Sequence, residues 1–182
     1  MELRFIGSYV EECKANPTRF AAGITSPMLI VKELGSSDDE DDAAFQTKFM
    51  SRADFLAAGS GERSLDAEPS VGVGHVFPIK KREGGAFPDR IGVGRAPNVD
   101  VRVSLSQVSK YHAYFSKNPD GSWSLTDAGS RNGTSVRGTK LADRMPTTIA
   151  DASDVVMGPY RFTFHTAEGF VELVKRRAAV AR

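Results

Sequence analysis

The sequence is short of cysteine, and Cys13 is the single one among its 182 residues. An internal disulfide therefore cannot form, and the cysteine clusters that hold structural zinc are missing. The three histidines, His75, His112 and His165, stand far apart in the sequence and have no cysteine partners. We accordingly expect no metal site, no cofactor and a reducing, cytoplasmic setting.

Long apolar runs are lacking as well. No uninterrupted stretch approaches the roughly 20 apolar residues that a membrane-spanning helix needs, and residues 1–17 lack the apolar core of a secretory signal. We therefore expect no membrane association. What is present is ordinary for a globular protein, since hydrophobic residues make up 40% of the chain and charged residues 26%. The length suffices for one domain with additional segments, or for two very small domains.

Charge is unevenly distributed along the chain, although the net charge is only +1. Residues 1–70 contain 7 basic and 13 acidic side chains, whereas residues 71–165 contain 13 basic and 8 acidic ones. Five of the acids lie in the acidic run, residues 36–42. An acidic arm joined to a basic domain favours either internal docking of the arm or a partner that is itself acidic. The alternative is a surface whose uneven charge has no functional meaning.

The N-terminal part is predicted to combine helical segments, the acidic run and a linker. Residues 7–23 favour helix with an interruption at Pro17, because proline breaks or kinks a helix that crosses it. Residues 28–31 form a short apolar run that fits either a strand or a buried helical turn. A helix is predicted over residues 42–58, followed over 58–74 by a linker rich in glycine, serine and acid.

After the linker, short β-favouring stretches alternate with turn residues. Several short strands at this spacing are typical of an all-β sandwich. Trp123, Leu125, Phe162 and Phe164 alternate with polar residues, so we expect them to face its interior. A helix is predicted after the last strand, over Glu168–Val180. The predicted strands are 75–80, 90–94, 99–103, 112–116, 122–126, 135–136, 147–150, 154–157 and 160–165.

Three turns in this region carry many of its basic and hydrogen-bonding side chains. They are Gly94-Arg95, Ser109–His112 and Ser130–Thr134, and each lies at the edge of a predicted strand, where a rigid sheet presents recognition loops. An arginine fork fits phosphate oxygens in two-point contact. A serine hydroxyl adds a directional donor, and an asparagine amide can pair with the backbone of an extended peptide. These residue types favour a site for a phosphorylated peptide.

The three turns resemble the signature of the forkhead-associated (FHA) domain, in which Gly-Arg, Ser-x-x-His and Asn-Gly-Thr follow one another within a run of short strands. The matching residues here are Gly94-Arg95, Ser109–His112, Asp127, Ser130 and Asn132-Gly133-Thr134. The resemblance covers the chain from Val71 to His165. It implies a mainly β fold, a two-sheet β-sandwich of the FHA type over 71–165. The sequence patterns outside that range add an N-terminal helical and acidic extension over 1–70 and a C-terminal helix over 166–182.

The resemblance also implies roles for individual residues. The residues implied to bind a phosphopeptide are Arg95, Ser109, Lys110, Arg131 and Asn132. Those implied to support the loops are Gly94, His112, Gly133 and Thr134. Arg95 and Ser109 would hold the phosphate, and Asn132 would grip the peptide main chain. The family commonly has arginine where this chain has Lys110, which keeps the charge and loses the fork. The ligand implied is a phosphothreonine-containing segment of a partner protein.

The same part of the sequence argues against an enzyme, a dinucleotide-binding protein and a nucleic-acid-binding protein. Ser109, His112 and Asp127 could be taken for a catalytic trio, but no G-x-S-x-G elbow surrounds Ser109, and we expect no enzyme activity. Gly92 and Gly94 do not complete a dinucleotide fingerprint, because Pro97 occupies the third glycine position. Few aromatic residues are free to stack on bases, so nucleic acid is not an expected partner.

The function predicted is a phosphopeptide-binding module that recruits or regulates a partner in kinase signalling. The alternative is a phosphate-independent interaction or scaffolding module that uses the same fold. The charge asymmetry adds a further hypothesis: the acidic N-terminal arm folds back over the basic loops and competes with the ligand. On that hypothesis, deletion of residues 1–70 would tighten phosphopeptide binding.

Overall fold

Two β-sheets and three helices make up the part of the chain that the structure, a computed structural model, describes: residues 4–35, 71–85 and 87–180. The strands are β1 Arg4–Phe5, β2 Met28–Glu33, β3 His75–Pro78, β4 Ile91–Gly94, β5 Val101–Arg102, β6 Ala113–Lys117, β7 Trp123–Asp127, β8 Thr134–Val136, β9 Thr139–Lys140, β10 Thr147–Ile149, β11 Ser153–Met157 and β12 Tyr160–His165. The helices are α1 Ile6–Ala15, α2 Pro17–Gly23 and α3 Ala167–Val180. All the strands predicted after the linker are present, with ends within about two residues of the predicted ones, the usual uncertainty of such boundaries.

The strands form two sheets of unequal size. One has seven strands in the order β1-β3-β2-β12-β11-β8-β9, and the other has five in the order β10-β7-β6-β4-β5. Paired strands run antiparallel, except that β4 and β5 are parallel. The predicted mainly β fold with two sheets and a C-terminal helix is confirmed.

The main core lies between the two sheets and is built from side chains that alternate along the strands. Leu125, Phe162 and Phe164 are fully buried there, as predicted, whereas Trp123 is only half-buried and packs against the rim of the core. Phe115 of β6 stacks on Phe164 of β12, with 5.6 Å between ring centroids, so the two sheets are joined through aromatic rings.

A second apolar layer covers the other face of the seven-stranded sheet. The three helices bury Tyr9, Phe20 and Phe170 against Met28 and Ile30 of β2, among others. The neighbouring residues of β2, Leu29 and Val31, face the core between the sheets. The strand is thus buried on both faces, and for that reason its sequence shows an unbroken apolar run in place of alternation. The choice between strand and helical turn, which periodicity left open, falls to the strand.

The sandwich extends beyond the predicted range 71–165. β1 pairs with β3, and β2 lies between β3 and β12 in the middle of the seven-stranded sheet. Two strands from the predicted extension are therefore structural parts of the sandwich. The physical reason is the double burial of β2, since four consecutive apolar side chains are stable only inside the fold.

The helices begin and end where the local sequence dictates. α1 ends at Ala15, and α2 starts with Pro17 in its first turn, where the missing amide hydrogen costs nothing. The Asn16 side chain caps α2 by accepting a hydrogen bond of 2.9 Å from the Arg19 amide. At the start of α3, the Thr166 hydroxyl accepts a bond of 3.1 Å from the Gly169 amide.

Several predicted features lie outside the described residues: the acidic run 36–42, the helix over 42–58 and all but the end of the linker 58–74. Within the described part of the chain, no helix is long and apolar enough to cross a membrane. The same residues contain no group of three or more histidine, cysteine or acidic side chains arranged to hold a metal ion.

Candidate functional site

The end of β4 touches the loop before β6 through its backbone. The Arg95 amide donates to the Ser109 carbonyl at 3.0 Å, and the Ala96 amide donates to the Lys110 carbonyl at 3.0 Å. A side chain on Gly94 would collide with the carbonyl of Lys110, so the close approach requires glycine at this position. The Arg95 side chain is exposed, and its Nε donates to the Val108 carbonyl at 3.3 Å. Two of the three predicted turns are therefore joined.

His112 connects the second turn to the third. Its ring is fully buried, and Nδ1 accepts a hydrogen bond of 3.0 Å from the Ser109 amide, while Nε2 lies 3.2 Å from the Gly133 carbonyl. Because the amide can only donate and the carbonyl can only accept, the ring is neutral with its hydrogen on Nε2. Burial lowers the pKa of His112, although the Gly133 hydrogen bond and the charge of Asp127 act in the opposite direction. His112 thus acts as a brace between the second and third turns.

The third turn also contacts Ser109 directly. The Arg131 amide donates to Ser109 Oγ at 3.0 Å. In the described part of the chain, the Ser109 hydroxyl hydrogen has no acceptor, so it remains able to donate to a ligand. Ser109 thus sits at the meeting point of all three turns.

Asp127 organises the loop that contains Arg131 and Asn132. Its carboxylate accepts hydrogen bonds of 2.8 Å from the Gly129 amide, 2.8 Å and 2.7 Å from the amide and hydroxyl of Ser130, and 2.5 Å from the Thr134 hydroxyl. Burial alone would raise the pKa of Asp127, but these hydrogen bonds together lower it. The carboxylate stays charged and closes the loop between β7 and β8. Thr134, predicted as loop support, is buried and acts through this contact.

The Asn132 side chain is held by Gln107, a residue that the sequence had not singled out. Asn132 Nδ2 donates to the Gln107 carbonyl and to Gln107 Oε1, each at 2.9 Å. The two residues are 25 positions apart and meet only because the loops converge. No local signal in the sequence could have paired them.

Lys140 is a second residue missed from the sequence. A Cβ on Gly133 would lie 2.9 Å from Lys140 Cε, so the lysine stem covers the turn beside Asn132. Lys140 reaches this place because β8 and β9 form a hairpin whose turn residues, Arg137 and Gly138, both have positive φ. β9 was not predicted, because an Arg-Gly pair indicates a hairpin turn less strongly than Asn-Gly does.

The resulting cluster is cationic and open to solvent. The side chains of Arg95, Lys110, Arg131 and Lys140 are exposed, and within the described residues none of them has an ion-pair partner. The structure thus brings the five residues predicted to bind ligand, the four predicted to support the loops, and Lys140 around one surface. Such a surface of unpaired cations, hydroxyl and amide groups can accommodate an anion of the size of a phosphate group.

The catalytic trio considered from the sequence does not form. The His112 ring contacts the Ser109 amide and not its hydroxyl, so it cannot take the hydroxyl proton. The Asp127 carboxylate accepts hydrogen bonds from the hydroxyls of Ser130 and Thr134 and does not orient the imidazole.

Comparison with known proteins identifies related sequences and folds. The family profile described as FHA domain matches residues 91–158. A relative is the oxoglutarate dehydrogenase inhibitor of Corynebacterium diphtheriae, 30% identical over 133 residues, which cover 68% of this chain and 90% of the relative. Among solved structures, the FHA domain of the CT664 protein from Chlamydia trachomatis matches with a TM-score of 0.45 and 20% identity, covering 78% of this chain and 97% of that one. EmbR of Mycobacterium tuberculosis, in complex with a low-affinity phosphopeptide, matches with a TM-score of 0.42 and 20% identity, covering 51% of this chain and 22% of that one.

Proposed function

The chain belongs to the forkhead-associated domain family, and from this premise we propose that it binds a phosphothreonine-containing segment of a partner protein and thereby recruits or regulates that partner in kinase signalling. One observation carries the proposal. Three loops converge on Ser109, and the cations around them lack ion-pair partners within the described residues. Backbone contacts hold the three loops together, so the unpaired cationic side chains on these loops stay close to one another. Such a cluster is suited to an anionic ligand.

Each group contributes to phosphate recognition in its own way. Arg95 offers a planar fork to two phosphate oxygens, and Ser109 offers a hydroxyl hydrogen. Lys110 contributes a compact charge without the fork, so it adds attraction with less directional preference. Arg131 and Lys140 stand on the rim, where they attract the phosphate or an acidic side chain beside it. A phosphate group carries nearly two negative charges at neutral pH, which separates the modified ligand from the bare one.

Regulation by binding is supported by the relative from Corynebacterium diphtheriae, which is named an inhibitor of oxoglutarate dehydrogenase. An inhibitor of an enzyme acts through contact with a protein. We extend that mode of action to this chain without assigning it the same target. The chain is proposed to act as a binding module with no catalysis of its own, because Ser109, His112 and Asp127 are engaged in holding the loops.

The test is a fluorescence anisotropy titration of the full chain with matched threonine and phosphothreonine peptides drawn from an oriented library. We expect binding of the phosphorylated form only. Arg95→Ala should weaken it by the worth of a charge-assisted contact, about 1.5–3 kcal/mol, or roughly ten- to 150-fold. Arg177→Ala, an exposed arginine on α3, is the matched control and should bind like the parent chain. Equal affinity for both peptide forms would favour the phosphate-independent interaction module and reject the proposal.

A further inference from the structure

The amide group of Asn132 has already used its donors inside the protein. Its Nδ2 carries two hydrogens, and Nδ2 lies 2.9 Å from the Gln107 carbonyl and 2.9 Å from Gln107 Oε1. Both are acceptors, so each takes one hydrogen. The Asn132 side chain is nevertheless exposed to solvent. What it can still offer to a ligand is its carbonyl oxygen, Oδ1.

Gln107 is itself fixed by the sandwich beneath it. Its amide donates to the Tyr160 hydroxyl at 3.4 Å, and that hydroxyl lies 3.2 Å from Ser106 Oγ. Tyr160 belongs to β12 and is buried. Gln107 and Asn132 both pack closely against Gly158. A Cβ on Gly158 would lie 3.2 Å from the Gln107 carbonyl and 3.4 Å from Asn132 Cβ. The position of Gln107 is therefore set by the seven-stranded sheet and not by the ligand.

We propose that Gln107 is a positioning residue that occupies both amide hydrogens of Asn132, so that Asn132 reads the ligand through Oδ1 as a hydrogen-bond acceptor. The inference rests on the proposed function, because it concerns how the bound peptide is recognised. The group that Asn132 selects is then a peptide N–H. A carbonyl at the same place would face Oδ1 oxygen to oxygen, which is repulsive.

An acceptor at Oδ1 restricts which backbone groups of the ligand can lie beside Asn132, whereas the charged side chains of the site attract the phosphate without this restriction. A residue without an amide hydrogen, proline or an N-methylated residue, is rejected at the position that meets Asn132. A peptide that runs in the opposite direction presents a different pattern of N–H and C=O groups and loses the contact as well. The phosphate supplies attraction, and the Gln107–Asn132 pair selects the direction and register of the chain.

The first test concerns the free protein. Gln107→Met keeps the length of the side chain and removes Oε1 as an acceptor. In nuclear magnetic resonance spectra of the ¹⁵N-labelled full chain, the Asn132 side-chain hydrogen that faces Gln107 Oε1 should exchange with solvent more slowly in the parent chain than in Gln107→Met, by about tenfold or more, since a hydrogen bond must open before exchange. Equal exchange rates would overturn the inference, because Gln107 would not hold the amide.

The second test uses a phosphothreonine peptide whose backbone amides are replaced one at a time by esters, which removes a single N–H. For the parent chain, one replacement should weaken binding by about three- to tenfold, the worth of one neutral hydrogen bond. The same replacement should cost nothing in Asn132→Ala, where the acceptor is gone. In Gln107→Met the ester penalty should shrink, because the Asn132 amide is then held only by the main-chain carbonyl of residue 107 and can turn to offer a hydrogen.

The outcomes separate this inference from the proposed function. The phosphopeptide could bind in an Arg95-dependent way while the ester penalty is the same in Gln107→Met as in the parent chain. That result overturns the inference and leaves the proposed function intact. Absence of any preference for the phosphorylated peptide rejects the proposed function, and the inference falls with it. A penalty at one amide that disappears in Asn132→Ala and shrinks in Gln107→Met supports both.

Discussion

Gly94 shows how much a single residue decides, because its hydrogen atom is all that fits against the Lys110 carbonyl. A methyl group at this position has to push the two loops apart, and overpacking of this kind costs about 1–3 kcal/mol. We expect Gly94→Ala to lower the free energy of unfolding by that amount, measured by urea denaturation, and to weaken phosphopeptide binding. Gly7→Ala is the matched control, since the space around Gly7 in α1 is open and alanine favours helix. Unchanged stability in Gly94→Ala would contradict this account.

The buried histidines make stability depend on pH. Burial lowers the pKa of His75, His112 and His165 in the folded chain. The unfolded chain takes up protons near the ordinary histidine pKa of about 6.5, while the folded chain stays neutral to lower pH. The unfolded state therefore binds more protons below that pH, and the free energy of unfolding falls as the pH is lowered from about 7.

Urea denaturation at pH 7.5, 6.5 and 5.5 measures this dependence. His112→Gln should be less stable than the parent chain at pH 7.5, because the brace between two loops is weakened, and should show a flatter pH dependence. A free energy of unfolding that does not change between pH 7.5 and 5.5 in the parent chain would show that the histidines titrate alike in the folded and unfolded states.

Residue types and spacing predicted that Arg95, Ser109 and His112 belong to one site, and the structure places their turns in contact. The sequence could not locate Gln107, because glutamine has no special chemistry and its partner Asn132 is distant in the chain. Long-range contacts of ordinary residues leave no mark on local sequence.

At the scale of elements, the loop between β7 and β8 depends on one carboxylate. Asp127 accepts four hydrogen bonds from Gly129, Ser130 and Thr134. In Asp127→Asn, one oxygen becomes an amide nitrogen that faces hydroxyl donors, so we expect a loss of stability of about 1–3 kcal/mol. Phosphopeptide affinity should fall too, because the loop positions Arg131. Urea denaturation and anisotropy measure the two effects.

The matched control for this element is Asp120→Asn in the turn between β6 and β7. Asp120 Oδ1 also accepts hydrogen bonds from an amide and a hydroxyl, both of Ser122, but the turn is exposed and lies at the other end of β6 from Lys110. Its substitution should cost less stability and leave binding unchanged. An equal loss of affinity in both variants would mean that Asp127 acts on the whole sandwich and not on its loop.

Strands could be predicted from the sequence where one face is buried and the other is exposed. Strands with one buried face, such as β11, alternate between buried and exposed residues and were found from the sequence. β1 and β9 have two residues each, too few for any alternation, and were missed. β2 was ambiguous because helices cover its second face. The limit of the prediction was therefore strand length for β1 and β9, and burial on both faces for β2.

At the scale of the whole molecule, the N-terminal segment is inseparable from the sandwich. Met28, Leu29, Ile30 and Val31 are each at most 5% exposed, and burying a side chain of this kind is worth about 1.5–3 kcal/mol. Together the four amount to roughly the 5–15 kcal/mol by which whole domains are stable. Deletion of residues 1–70 would therefore unfold the chain and cannot test the hypothesis that the acidic arm competes with ligand.

Neutralising the acidic run tests that hypothesis and keeps the four buried side chains of β2. We propose replacing Asp38, Asp39, Asp41 and Asp42 by asparagine and Glu40 by glutamine. If the run competes for the cationic loops, phosphopeptide affinity should rise in low salt, and the gain should shrink as salt screens charges over about 10 Å at 0.1 M. Glu168→Gln on α3 is the control. Affinity that is unchanged at every salt concentration would exclude competition by the acidic run.

The pairing of β2 with β12 has a consequence for the order of events during synthesis. One of the two neighbours of β2 (Met28–Glu33) is β12 (Tyr160–His165), which leaves the ribosome more than a hundred residues after β2. Until then an apolar edge and an apolar face of the nascent chain stay uncovered, and contacts that span such a long stretch form slowly. The loops of the candidate site, which contact this sheet through Tyr160, therefore acquire their geometry only after β12 has been synthesised.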